Sequence, residues 1–178
     1  MDLQAGGKRV KFLFFWKHTE PGPEVTGACL SQWYPSPFTV EGVRYHCAEQ
    51  YMMAQKARLF EDAEMLREIM AAKHPKQCKA LGQRVRGFDE KVWRDHRVPI
   101  VVAGNVAKFS QNEQLRTYLC QSGGRILVEA SPYDRIWGIG LTADDPRAEN
   151  GALWRGENLL GFSLMEVRDL LAAEAEKR

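Results

Sequence analysis

The feature that most constrains the fold is a change of sequence period at Cys47. From there on, apolar residues recur mostly at the three-to-four-residue spacing that is typical of amphipathic α-helices. Pro75 suits the first turn of a helix, and Asp89 suits the cap of a long helix. Pro99 must kink that helix or begin part of it. The pattern predicts six helices, over residues 47–60 and 62–72, from Pro75 to near Gly82 or Gly87, from 89 towards 109, and over 111–120 and 159–173.

Three apolar segments outside these helices predict β-strands. They are Lys11–Trp16, residues 38–45 with a turn at Glu41-Gly42, and the run that begins at Ile126. Together with the helices they predict an α+β fold, a helix-rich domain with a small β-sheet. A length of 178 residues suits one domain, which we expect over residues 10–174 after a flexible polar leader over residues 1–9.

Composition limits the classes of function. A net charge of +2 provides no field strong enough to predict binding to duplex nucleic acid or to a membrane. The four cysteines form no Cys-x-x-Cys pair, so we expect no metal site and reduced thiols in a cytoplasmic protein. There is no signal-peptide pattern and no apolar stretch near the roughly 20 residues of a spanning helix. No sequence feature indicates a cofactor, and the oligomeric state is left open.

Unusual side chains follow the predicted strand that begins at Ile126. Glu129, Asp134 and Trp137 come after it, and two glycines, Gly138 and Gly140, follow the tryptophan. A tight turn requires Gly or Pro, but it does not require two acids and a large aromatic ring. One interpretation is a site where the ring stacks on a ligand and a carboxylate meets a developing positive charge. The other is a strand, a turn and a tryptophan packed in the core.

The helix over residues 47–60 carries a second pair of candidate groups. Glu49 and Lys56 lie close to two turns apart, so both side chains project from one face. A solvated face with one acid and one base is the simpler interpretation. Apolar neighbours of Glu49, such as Met52 and Met53, favour a buried carboxylate, which is costly without a partner or a role.

Four motifs in order resemble the YbiA-like family, also called NADAR. They are His46–Ala57 (HCAEQYMMAQKA), Gly104–Asn112 (GNVAKFSQN), Leu127–Leu141 (LVEASPYDRIWGIGL) and Trp154–Gly161 (WRGENLLG). The resemblance runs from about Phe14 to Leu171. One departure is visible, because this chain has Ser-Gln-Trp-Tyr-Pro over residues 31–35 where the family often has Ser-Asn-Phe-Tyr-Pro. That change keeps an amide and an aromatic ring, so it concerns substrate detail.

The resemblance implies an N-glycosidase, a hydrolase of N-glycosyl bonds. Some members of the family cleave phosphorylated riboflavin biosynthesis intermediates, releasing ribose 5-phosphate from an aminopyrimidine. Others remove ADP-ribose from guanine bases of nucleic acid, which would make ADP-ribosylated nucleic acid an alternative partner to a small phosphoribosyl molecule. A non-catalytic module that binds NAD-derived nucleotides or ADP-ribose is a third possibility.

Cleavage of a C1–N bond requires specific groups. The ribose gains oxocarbenium character, which a carboxylate stabilises, and an acid must protonate the departing base. Glu49 and Asp134 are the candidate pair, with Glu129 as a support for the end of the strand. Trp93 and Trp137 are candidates to stack on the base or to exclude water.

Basic and polar residues supply candidates for the rest of the substrate. Lys56 has two possible roles, contact with phosphate or attack on C1 of an opened ribose to give a Schiff base, and the resemblance favours its involvement in the ADP-ribose reaction. Lys108, Arg155 and Asn158 are phosphate or ribose candidates, although Lys108 could equally be exposed and Asn158 could cap the last helix. Gly138 is expected to let the backbone approach a ligand.

Overall fold

The computed structural model describes residues 10–17 and 22–177, and the predicted leader over residues 1–9 lies outside the described residues. Within these ranges the chain forms six α-helices, four β-strands and two short 3-10 turns. This helix-rich α+β architecture confirms the predicted fold class. In chain order the elements are β1 (Phe12–Phe15), a 3-10 turn (Gly27–Leu30), β2 (Phe38–Val40), β3 (Val43–Tyr45), α1 (Ala48–Leu59), α2 (Ala63–Ala71), α3 (Pro75–Gly82), α4 (Glu90–Ser110), α5 (Glu113–Gln121), β4 (Ile126–Glu129), a second 3-10 turn (Gly151–Leu153) and α6 (Leu159–Glu176).

The four strands pair two by two, so the described residues contain two small sheets. β1 and β4 are parallel, and the last pair in their register joins Phe15 to Glu129. β2 and β3 form an antiparallel hairpin. Its turn is at Glu41 and Gly42, as predicted, where φ is 49° and 76°. Two consecutive positive φ angles are what a type I′ hairpin turn requires.

Helix starts follow the polar residues that precede them. The carboxylate of Asp89 accepts a hydrogen bond from Val92 N at 2.9 Å, which confirms it as the cap of α4. Pro75 occupies the first turn of α3, as expected. Pro99 lies inside α4, which is one helix from Glu90 to Ser110, so this proline does not begin a separate part of it. Gln111 was expected to begin α5, but it ends α4 instead. Its side chain exchanges hydrogen bonds of 2.8 and 2.7 Å with the backbone of Thr39, which ties the end of α4 to β2.

Helix α1 lies at the centre of the structure and packs against α2, α3 and α4. Eight of its twelve residues are buried, so its amino-terminal half has no solvated face. Glu49, in the first turn of α1, is 4% exposed and is therefore not part of a solvent-facing acid–base pair. For Glu49, the structure therefore excludes the interpretation of this helix as a solvated face with one acid and one base.

Asn158 joins β4 to the start of α6. It occupies the N-cap position of α6 with φ of 53°, but its side chain makes no capping hydrogen bond. Instead Nδ2 donates to Leu127 O at 2.9 Å, and Oδ1 accepts from Glu129 N at 3.0 Å. The side chain thus fixes the carboxyl end of β4.

Replacing Gly161 by alanine is expected to lower the free energy of unfolding by about 1–3 kcal/mol, as overpacking does. A Cβ at this position would overlap the carbonyl oxygen of Leu127 and the side-chain amide of Asn158, and the backbone atom cannot move away cheaply. Helix propensity alone predicts the opposite sign, because alanine is the better helix former. Urea unfolding measures the difference. Gly124→Ala is the control, since its Cβ would meet nothing within 4 Å, and an equal effect of both substitutions would contradict the prediction.

Candidate active site

A cleft of about 910 Å³ opens where the start of α1 faces the end of β4 and the loop that follows it. Residues 31–33, α3 and the middle of the α1 surface complete its walls. The cleft therefore collects residues that lie far apart in the sequence. Three acids line it, together with aromatic and cationic residues and with neutral polar and aliphatic ones.

The three acids of the cleft are Glu49, Glu129 and Asp134. Burial, with repulsion from Asp134, raises the pKa of Glu49 to about 7, although Lys79 and a hydrogen bond from Trp33 act in the opposite direction. A carboxyl group with a pKa near neutrality can both hold and release a proton under physiological conditions. Glu49 therefore has the properties of a general acid.

Glu129 lies at the last position of β4. Burial raises its pKa to about 8, and the charges of Asp134 and Glu49 act in the same direction. Its Oε2 is buried and has no hydrogen-bond partner among the described residues. Its backbone is fixed, because N donates to Asn158 and O accepts from Ile139 N at 3.0 Å.

Asp134 is held by a local turn. Its Oδ1 accepts hydrogen bonds from Ile136 N at 2.9 Å and Trp137 N at 2.7 Å, while its own N donates to Ser131 Oγ at 3.2 Å. This is an Asx turn, which the composition of the segment explains. The carboxylate is thus set in a fixed position at the cleft.

Lys56 projects into the cleft between aromatic rings. Its Nζ lies 4.3 Å from the centre of the Phe88 ring and 5.5 Å from that of Trp93. Burial lowers the pKa of this amine, and attraction to Glu90 opposes that effect only in part. A larger neutral fraction makes an amine more nucleophilic.

Tryptophans supply much of the apolar wall. Trp93 and Trp137 both line the cleft, as do Trp16 and Trp33, which were not among the predicted site residues. The exposed ring of Tyr133 lies 5.9 Å from Trp16, centre to centre. Flat apolar walls of this kind suit the stacking of a nucleobase.

Five of the nine predicted site residues line the cleft: Glu49, Lys56, Trp93, Asp134 and Trp137. Gly138 does not line it. A Cβ at Gly138 would lie 2.9 Å from Glu129 O and 3.1 Å from Asp134 O. The close approach that this glycine permits is between the loop and β4, rather than to a ligand.

The other three predicted residues also lie outside the cleft lining. Lys108 was expected either to bind phosphate or to be exposed, but it is fully buried, and Nζ donates to Cys29 O at 2.7 Å and Ser31 O at 3.0 Å. The side-chain amide of Asn158 is hydrogen-bonded to the backbone of β4. The side chain of Arg155 is exposed to solvent. Lys108 and Asn158 therefore support the walls of the cleft.

Sequence reasoning missed several residues of the lining. Lys79 on α3 and Arg135 in the loop after β4 bring positive charge to the cleft, as does Lys17. Gln32 also lines the wall. Lys79 follows the buried Cys78 on a helix whose packing partner is α1, and nothing in its local sequence distinguishes it from other surface lysines. Only the tertiary structure places it near Glu49.

Over residues 10–17 and 22–177, no group of His, Cys, Asp and Glu side chains could hold a metal ion. None of the helices in the same ranges is long and apolar enough to cross a membrane. The four cysteines are all free.

The cleft brings three acids together with aromatic rings and cations, and acids are the groups that cleavage of a glycosyl bond requires. The NADAR domain family matches residues 14–172, and the chain belongs to this family. It is 42% identical to N-glycosidase R617 of Acanthamoeba polyphaga mimivirus over 164 residues, which are 89% of this chain and 95% of that protein. The protein is accordingly a hydrolase that acts on N-glycosyl bonds.

Two further comparisons extend this relationship. The chain is 29% identical over 153 residues to Riboflavin biosynthesis protein VVA0006 of Vibrio vulnificus, a match that covers 86% of this chain and 38% of that protein. The NMR structure of the E. coli protein YbiA superposes with a TM-score of 0.73 at 24% identity, covering 99% of this chain and 94% of that chain. The second comparison confirms the fold.

Proposed function

We propose that the protein hydrolyses the C1–N bond between phosphorylated ribose and a guanine-like aminopyrimidine base, as in riboflavin biosynthesis intermediates, in the cytoplasm. The observation that carries this proposal is the convergence of Glu49, Glu129 and Asp134 in one cleft with tryptophan walls. A relative named as a riboflavin biosynthesis protein supports this choice of substrate.

Asp134 and Glu49 have different roles in the reaction because their surroundings differ. Asp134, fixed by two backbone hydrogen bonds, faces the ribose and stabilises the positive charge that develops at C1. Glu49, with a pKa of about 7, gives its proton to the nitrogen of the departing base as the C1–N bond breaks. Water then adds its oxygen to C1 and loses a proton to the Glu49 carboxylate, which restores the enzyme.

The phosphate of the substrate binds to cationic side chains that line the cleft. Lys79 and Arg135 both line it, and they replace Lys108 and Arg155 as the phosphate-binding candidates. Trp93 or Trp137 stacks on the base and keeps bulk water away from the reacting bond. The substrate is thus a small molecule with a phosphate at one end and a flat base at the other.

Removal of ADP-ribose from guanine bases of nucleic acid is the second candidate function. The position of Lys56 favours it, because a half-buried amine between Phe88 and Trp93 is suited to attack C1 of an opened ribose. In that step the ribose ring opens and its oxygen takes a proton to become the C4 hydroxyl, while C1 stays bonded to the guanine nitrogen. The Lys56 nitrogen then bonds to C1 and loses a proton, the C1–N bond to guanine breaks, and the base leaves with a proton. Water later hydrolyses the resulting Schiff base and releases the sugar. A module that only binds ADP-ribose is the remaining alternative, but it would have little use for three acids in one cleft.

Two substrates separate these functions. The protein is incubated with the aminopyrimidine ribotide and, separately, with ADP-ribosylated guanosine, and the products are measured by mass spectrometry. Release of ribose 5-phosphate supports the first function, and release of ADP-ribose supports the second. Binding of either compound without any release would leave the binding module.

Replacing Lys56 by arginine is expected to lower release of ADP-ribose by at least about 100-fold if the amine acts covalently, because a guanidinium keeps the charge but cannot form a Schiff base. Borohydride trapping followed by intact-mass measurement detects the adduct in the unmodified protein. Lys91→Arg, on the exposed face of α4, is the matched control. Full activity of Lys56→Arg would reject the covalent role.

A further inference from the structure

Gln32 occupies an unusual position in the wall of the cleft. It lines the cleft but is only 8% exposed. Its backbone oxygen accepts a hydrogen bond from Glu49 N at 2.9 Å. The residue that follows, Trp33, also lines the cleft and hydrogen-bonds the Glu49 side chain. Gln32 is therefore adjacent to the group that we propose as the general acid.

The orientation of the Gln32 amide is fixed from behind by α4. Asn105 Nδ2 donates to Gln32 Oε1 at 2.8 Å and to Val101 O at 2.9 Å. Rotating the Asn105 amide by half a turn would place its oxygen against the Val101 carbonyl. Rotating the Gln32 amide would place two NH₂ groups together. The hydrogen-bond pattern thus admits one arrangement, with Gln32 Oε1 directed at α4.

This arrangement leaves one donor group, Gln32 Nε2, and one acceptor, Asn105 Oδ1, without partners among the described residues. Gln32 Nε2 is buried and has no hydrogen-bond partner among the described residues. A buried donor without an acceptor is rare and costly in folded proteins. Because the Oε1 of the same amide is already bonded, an acceptor for Nε2 has to come from elsewhere.

The backbone that carries Gln32 is held rigidly as well. Lys108 Nζ donates to Cys29 O at 2.7 Å and Ser31 O at 3.0 Å, immediately before Gln32. Lys108 and Asn105 are three residues apart on α4, so one face of this helix fixes both the backbone and the side chain. The donor is therefore pre-organised before any ligand binds.

We propose that Gln32 is a specificity-determining residue whose Nε2 donates a hydrogen bond to the ring carbonyl oxygen of the departing base. This inference rests on the proposed function, since it assigns the base to the side of the cleft where Glu49 delivers its proton. When the C1–N bond breaks, its electron pair moves onto the base and in part onto that oxygen. A fixed donor at this position stabilises the developing charge and selects bases that carry a ring oxygen.

Binding measurements test the proposal without requiring turnover. Dissociation constants are measured by calorimetry for three ribonucleoside 5′-monophosphates, those of guanine, hypoxanthine and 2-aminopurine. The first two have the ring oxygen, whereas 2-aminopurine lacks it. Gln32→Met is expected to weaken binding of the two oxo compounds about tenfold, the scale of one hydrogen bond, and to leave 2-aminopurine within about twofold.

Further variants keep the test decisive. Gln32→Leu removes the donor with a differently shaped side chain and adds no titratable group, so it is expected to show the same loss if the methionine variant does not fold. Gln114→Met, at an exposed position of α5 outside the cleft lining, is the matched control and should change none of the three affinities. Equal losses for all three ligands, or no loss with either Gln32 variant, would overturn the proposal. An unmodified protein that binds the oxo compounds selectively but cleaves no substrate would reject the proposed function and leave this assignment intact.

Discussion

Replacing Glu49 by glutamine is expected to lower kcat for N-glycoside hydrolysis by roughly 10²–10⁴-fold, the contribution of one general acid. The amide fills the same buried space, but it cannot give a proton to the departing base. Steady-state rates of ribose 5-phosphate release measure the effect. Glu166→Gln, on the exposed side of α6, is the control for a change of charge without a role in the cleft. Rates for Glu49→Gln equal to those of the control would remove Glu49 from the mechanism.

The pH profile gives an independent test of Glu49. Its pKa is raised to about 7, so the protonated form that acts as an acid disappears as the pH rises through that value. Activity limited by this group should therefore fall above about pH 7, whereas a role as the initial base would give the opposite slope.

The same pKa has a consequence for stability. The carboxyl binds its proton more tightly in the folded than in the unfolded state, so its contribution to stability is present at low pH and is lost as the pH rises towards 7 and above. Glu49→Gln lacks this loss, and its melting temperature should equal or exceed that of the unmodified protein at pH 8.

Replacing Asp134 by asparagine is expected to lower kcat by roughly 10²–10³-fold, as the loss of one pre-organised electrostatic group does. Asparagine keeps the oxygen that accepts the hydrogen bonds from Ile136 N and Trp137 N, so the turn is preserved and only the charge is removed. Single-turnover measurements of bond cleavage with the aminopyrimidine ribotide report the chemical step directly.

Two further variants define that result. Asp144→Asn, at an exposed position of a later loop, controls for the charge and should have no effect. Asp134→Ala removes both the charge and the turn, so it should lose stability as well as rate. A higher KM with unchanged kcat in Asp134→Asn would indicate that this residue only binds the substrate.

Local signals explain why the sequence predicted the helices and strands well. Asp89 caps α4 and Pro75 starts α3 through atoms only a few residues away, and the Glu41-Gly42 turn depends on its own backbone angles. Gln111 was misplaced because its partner, Thr39, is 72 residues distant.

In the candidate site too, the sequence predicted residues with an unusual local pattern but not contacts between residues far apart in the chain. Glu49, Asp134 and Trp137 stand in motifs whose composition is unusual in itself. Lys108 looked like a phosphate ligand because the carbonyl groups that bind it are 77 and 79 residues away. Nothing in the local pattern could have shown that this ammonium is buried, or that Lys79 faces the cleft.

The pairing of β1 with β4 also affects how the chain folds. Glu129 reaches its place in the cleft only when the last pair of this parallel ladder, Phe15 with Glu129, has formed. Closing so long a loop costs on the order of 4 kcal/mol of chain entropy before its contacts compensate. The helices between the two strands are stabilised by nearer contacts and can form first. The acidic cluster is therefore expected to assemble late in folding, so the charge repulsion among its members does not oppose the formation of the helices.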